Sequence, residues 1–165
     1  MAHLQDKADH SSSATSMQDQ HNQLKKIAEG FKIVSLKMKN AANGQVLYES
    51  SEWDLSENEV KDVRFPKEML QCTELSRELV FESREAITDL QLLQKISLNN
   101  QEIEHLYFKF GFVIPNSQNS WDQIIQADSE GILPAEVLSG NLMVETLFIS
   151  QDQVINRSFY RVFYV

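Results

Sequence analysis

The chain has 165 residues, 42% of them apolar, enough for one domain with a real core and too apolar to stay disordered. Its formal net charge of −9 argues against nucleic acid as a partner, because phosphate binding needs a basic surface. The single cysteine, Cys72, cannot cross-link its own chain, no apolar run spans a bilayer, and Met1 to Gln23 holds no apolar block of signal-peptide type, so the expected location is cytoplasmic.

Residues 1–20 read as a disordered tail, polar and carrying Ser11-Ser12-Ser13, ahead of one domain at 21–165. From about Gln20 a short helix is expected: Leu24, Ile27, Ala28 and Phe31 follow helical spacing, and Gly30 suits its end. After Phe31 the period drops to two, with Val34, Leu36 and Met38 alternating with polar residues. Asn43-Gly44 marks a hairpin turn and Gln45 to Ser50 the returning strand. Val60 to Phe65 is the next strand, followed by 72–82, 90–98, 102–114, 140–149 and 158–165. The segment 116–139, with Asn116, Asn119, Gly131 and Pro134, reads as a loop whose Trp121, Ile124 and Ile125 form one helical turn over an open end. Short strands in series predict an all-β antiparallel sandwich or barrel.

Polar residues interrupt three apolar strand faces. Arg77 shares a face with Leu75, Leu79 and Phe81; Gln94 with Leu90, Leu92, Ile96 and Leu98; Glu104 begins the row Leu106, Phe108, Phe110, Phe112 and Ile114. A buried, unpartnered charge or amide costs several kcal/mol. Either these groups satisfy one another or lie at a wet rim, or they line a cavity and meet the polar end of an apolar ligand. Other chemistry has little support. His105 stands alone on the face opposite Leu106 and Phe108, and Cys72 has no histidine partner. Glu102 and Glu104 read as sharing a face, but a carboxylate pair on a strand is common. Asn156-Arg157-Ser158 fits the glycosylation pattern, which has no meaning without secretion. No phosphate-cradling loop, metal-ligand cluster or nucleophile elbow occurs, so neither cofactor nor catalysis is expected.

The run Phe108-Lys109-Phe110-Gly111-Phe112-Val113-Ile114-Pro115-Asn116-Ser117, with Asn119-Ser120-Trp121, resembles the prenyl-binding protein delta family, the delta subunit of the retinal rod cGMP phosphodiesterase. Further blocks agree: Gly30-Phe31-Lys32, Leu75-Ser76-Arg77-Glu78-Leu79 with Phe81, Leu133-Pro134, Val137-Leu138-Ser139-Gly140-Asn141, Glu145-Thr146, and Arg161-Val162-Phe163-Tyr164-Val165. The resemblance covers roughly residues 24–165. It implies an immunoglobulin-like antiparallel β-sandwich with a short N-terminal helix and an apolar cavity between the sheets.

The resemblance further implies a non-enzymatic carrier of farnesyl or geranylgeranyl groups, needing no cofactor. Its cargo would be prenylated proteins, such as Ras-type small GTPases and prenylated ciliary enzymes. Arf-like GTPases in the GTP form would release that cargo by adding a strand to an edge, with 141–149 as the candidate edge. Membrane contact would be transient and through cargo only, and a cilium or flagellum joins the cytoplasm as an implied location. Carried over residue by residue, the pocket comprises Leu36, Met38, Tyr48, Leu55, Met69, Cys72, Leu75, Leu79, Ile96, Leu106, Ile125, Ile132, Leu138, Val144, Phe148, Tyr160, Val162 and Tyr164. Arg77, Gln94 and Glu104 are the implied polar contacts to the cargo's modified C-terminus. Leu106 and Tyr48 stand where close relatives have tryptophan, which reshapes the cavity. A carrier of N-terminal acyl chains on the same fold and a filled, ligand-free immunoglobulin-like module are the alternatives.

Overall fold

The computed structural model describes residues 6–51, 53, 59–127 and 133–165, with side chains from residue 16 onward. Helix α1 (Asp6–Gly30) starts well upstream of Gln20, but its packed face is the one the spacing marks: Ile27 is buried and Leu24 lies against the core. It ends on Gly30, where an added Cβ would stand 3.1 Å from the Arg84 Cβ, so the helix end and the strand edge meet only through a glycine. β1 (Phe31–Asn40) follows without a loop. The Asn43-Gly44 turn, with Gly44 at φ +74°, returns the chain as β2 (Val46–Ser50).

Seven more strands follow: β3 (Val60–Phe65), β4 (Glu74–Ser83), β5 (Ile87–Leu98), β6 (Gln101–Val113), β7 (Ser117–Gln126), β8 (Leu142–Ser150) and β9 (Gln153–Tyr164). A 3-10 turn (Lys67–Gln71) separates β3 from β4, and the short helix α2 (Ala135–Leu138) precedes β8. One sheet has the order β2-β1-β4-β7 and the other β3-β9-β8-β5-β6. The result is an all-β, immunoglobulin-like sandwich, antiparallel except that β3 runs parallel to β9. Two left-handed asparagines, Asn99 and Asn100, make the tight β5–β6 turn, and Gln151 and Asp152 do the same between β8 and β9.

Four expectations change. Ser117–Gln126 is not a loop with a helical turn but an edge strand, paired along its whole length with β4. Its inward row is Trp121, Gln123 and Ile125, while Ile124 points out at 52% exposure. The asparagine that suggested a loop, Asn116 at φ +54°, only turns the chain into the strand. The inward row of β6 also breaks. At Gly111, φ +104°, the pairing with β5 shifts register, so Val113 becomes buried and Phe112 and Ile114 are exposed. A second shift in the β5–β6 pairing separates Glu102 from Glu104, and Glu102 Oε1 lies 2.7 Å from the exposed His105 Nε2. Finally, β8 lies between β5 and β9, so 141–149 offers no free edge.

The aromatic residues close one end of the sandwich. Phe31 packs on Phe148 (4.9 Å between ring centres) and Phe81, and Phe110 sits edge-on to both Phe81 (5.2 Å) and Trp121 (5.3 Å). Phe81 and Leu90 are fully buried there. The opposite end, under α2 and the 3-10 turn, is not filled.

Candidate functional site

The inward rows of β4, β5, β6 and β7 place their last apolar residues around a cavity of about 250 Å³ at that open end. Leu75 and Ile125 come from one sheet, and Ile96, Leu106, Leu142 and Tyr164 from the other. The 3-10 turn and its exit add Met69, Leu70 and Cys72, and α2 with its approach adds Leu133 and Leu138. Ile103, Glu104, Gln126 and Ala127 complete the rim. Local geometry holds these pieces. Pro134, fixed near φ −65°, precedes α2, and the Ser139 hydroxyl accepts the Tyr164 N–H at 2.9 Å, tying α2 to β9.

One step further in, the sandwich narrows. An inner chamber of only about 20 Å³ is lined by Leu36, Trp53, Arg77, Leu79, Leu92, Gln94, Thr146, Phe148 and Tyr160. That is room for roughly one water. Its polar lining forms a belt. Arg77 donates from Nε to Gln123 Oε1 (2.5 Å) and from Nη1 to Gln94 Oε1 (2.6 Å), and Gln94 Nε2 donates to the Thr146 hydroxyl at 2.9 Å. Gln123 neighbours Arg77 within one sheet and Thr146 neighbours Gln94 within the other, so the Arg77–Gln94 bond joins the sheets. Tyr160 lines the same chamber as Gln94, and the guanidinium lies 5.3 Å from the Phe108 ring centre.

Burial governs the electrostatics. Desolvation lowers the Arg77 pKa to about 10, only partly countered by Tyr160. It raises the Tyr160 phenol, against the opposing field of Arg77, and pushes Tyr164 up to about 12, with a further contribution from Tyr160. Arg77 therefore stays charged and both phenols stay neutral at ordinary pH.

Of the residues expected in the pocket, Met69, Cys72, Leu75, Ile96, Leu106, Ile125, Leu138 and Tyr164 line the outer cavity, and Leu36, Leu79, Phe148 and Tyr160 the inner chamber. Met38 is buried beside Arg77 in register; Val144 lies between Ile96 and Tyr160, and Val162 between Leu142 and Val63. Tyr48 packs edge-on to Phe65 at 4.9 Å. Leu55 and Ile132 lie outside the described residues. Arg77 and Gln94 come together, but Glu104 does not join them: it stands exposed on the rim of the outer cavity. Gln123, Thr146 and Trp53 are additional members of the site. Thr146 was readable from the alternation Leu142, Val144, Thr146, Phe148, whereas Gln123 was hidden by the loop assignment of its segment.

Among the described residues no cluster of histidine, cysteine or carboxylate side chains suits a metal ion, and no helix is long and apolar enough to cross a membrane. A family model described as "GMP-PDE, delta subunit" matches residues 25–164, from the last turns of α1 to the end of β9.

Proposed function

The chain belongs to the GMP-PDE delta subunit family, a family of prenyl-binding carrier subunits and not of catalysts, and we propose that it binds farnesyl or geranylgeranyl tails of lipidated proteins between its sheets. The observation that carries this reading is the outer cavity, walled by apolar side chains from both sheets and open at the end away from the aromatic base. Burying a farnesyl chain at about 0.8 kcal/mol per carbon is worth on the order of 10 kcal/mol. A single lipid chain holds a protein to a bilayer only marginally. An apolar slot of this kind therefore competes with the membrane for the tail without recognising the whole cargo.

The inner chamber is too small for the far end of a tail as it stands, so uptake displaces the side chains that fill it, Phe148, Trp53 and Tyr160 foremost. The cargo's polar terminus leaves past Glu104 and Gln126 at the rim, and a terminal carbonyl drawn below the rim meets Arg77 and Gln94. The cargo comprises prenylated proteins of the Ras-type GTPase and ciliary-enzyme kinds, carried through the cytoplasm or into a cilium. A GTP-bound Arf-like GTPase promotes release by strand addition at a free edge. β6 and β7 are the suitable edges, because each is terminal in its sheet and each contributes residues to the rim. If release works at equilibrium, cargo weakens GTPase binding by the same factor.

The test is a titration with matched farnesylated, geranylgeranylated and myristoylated peptides. Tight binding of the prenylated pair is expected. Binding of the myristoylated peptide alone would make this an acyl carrier, and binding of none would leave an interaction module without a ligand.

A further inference from the structure

The inner chamber has one wall unlike the rest. Its other lining side chains are buried and stand on strands that are paired on both sides within their sheets. Trp53 is the exception: among the described residues of that lining it alone is half-buried, and it belongs to no strand. It stands just beyond the end of β2, in the connection to β3. These two strands are terminal in their sheets, and Tyr48 of β2 packs edge-on to Phe65 of β3, so their edges meet on one flank of the sandwich. Trp53 fills that flank at the level of the chamber. Its ring stands edge-on to Tyr160, 5.6 Å between centres, and the Lys61 ammonium lies 5.3 Å from its ring centre. Lys61 and Tyr160 are partners in register, so one point of the β3–β9 pair supplies both contacts. Ring contacts hold the indole, whereas the hydrogen-bonded ladders of the sheets hold the other walls.

We propose that Trp53 sets the length of tail that the cavity accepts, and that the protein prefers farnesyl to geranylgeranyl for that reason. The inference rests on the carrier reading, with the tail running inward from the open end. The outer cavity takes the first isoprene units, and the last one meets a chamber with room for roughly one water. Phe148 and Tyr160 are buried and can only shift within the core. The indole alone has water to move into. A farnesyl end is met by shifts inside the chamber, whereas a tail one isoprene unit longer has to push the indole out between β2 and β3. That step exposes the apolar ring and breaks its contacts with Tyr160 and Lys61, which cancels what the extra unit gains by its own burial.

The experiment measures the affinity of the whole chain for two peptides of one sequence, farnesylated and geranylgeranylated. The unaltered chain is expected to bind the farnesylated peptide severalfold tighter. Trp53→Ala opens the flank and is expected to move the ratio of the two affinities at least about tenfold toward geranylgeranyl, the usual worth of added carbons that find room in an apolar site. Trp53→Leu, a milder truncation, is expected to move it the same way by less. A weakened fold would lower both affinities together and leave their ratio alone, so the ratio reads the stop itself. A ratio unmoved by both variants overturns the proposal, as does a geranylgeranylated peptide that binds the unaltered chain more tightly. Failure of both peptides to bind the unaltered chain defeats the carrier reading, and the length stop falls with it.

Discussion

Arg77, Tyr160 and Tyr164 give the protein a stability profile in alkali that can be signed in advance. Both tyrosines have raised pKa values in the fold, so their contribution is complete below the ordinary phenol value of 10 and is lost above it, for Tyr164 as pH climbs toward 12. Arg77 acts the other way: its value falls from 12.5 to about 10, so the fold gains as pH rises through the same window. The urea midpoint is expected to drop between pH 10 and 12, less in Tyr164→Phe and more steeply in Arg77→Met. A midpoint that is flat in all three would mean that these groups are solvated. Size changes separate the two spaces just as clearly. Ile96 faces the outer cavity, so Ile96→Trp is expected to fill it, cutting farnesyl-peptide affinity at least about tenfold with little change in thermal midpoint. Leu79 faces the chamber with room for one water, and Leu79→Trp is expected to destabilise by about 1–3 kcal/mol through overpacking.

The bulge in β6 shows what the pattern of alternation can and cannot reveal. From Glu104 to Phe110 the two-residue period places every side chain correctly, because nothing interrupts the pleat. Gly111 inserts a residue, and Phe112 and Ile114 exchange faces with Val113. Hydrophobicity alone could not show this, since Phe112, Val113 and Ile114 are all apolar; the signal is the glycine. Gly111→Ala is expected to cost about 1–3 kcal/mol, because φ +104° is strained for any side chain while nothing lies within 4 Å of the added methyl. A lower urea midpoint at unchanged slope would show it. β7 was hidden for a related reason: its outward face, Gln118, Ser120, Asp122, Ile124 and Gln126, is mostly polar, and its inward face carries Asn119 and Gln123, so the segment reads as a loop. Most other strands, and the facing of Arg77 and Gln94, were legible because a sheet with one buried side writes its register into the sequence. The pairing of Arg77 with Gln123 was not, since it joins strands far apart in the chain.

The chain as a whole carries a formal charge of −9, while the cavity's entrance is walled mainly by apolar side chains. Cargo whose lipid follows a run of lysines is therefore drawn in by the field of the protein as well as by the slot. Raising salt from about 0.05 to 0.5 M is expected to weaken a farnesylated polybasic peptide severalfold and to leave a neutral farnesylated peptide nearly unchanged. Equal salt responses would show that the surface charge serves solubility alone. The sole cysteine also has a use at this entrance. Cys72 is the chain's one thiol, and it borders the outer cavity beside Met69 and Leu75. A tail held in that cavity would cover the thiol. The protein thus carries its own footprinting probe: alkylation of unaltered material is expected to slow as farnesylated peptide is added, tracking occupancy without an engineered label. An unchanged alkylation rate at saturation would place the tail away from the 3-10 turn.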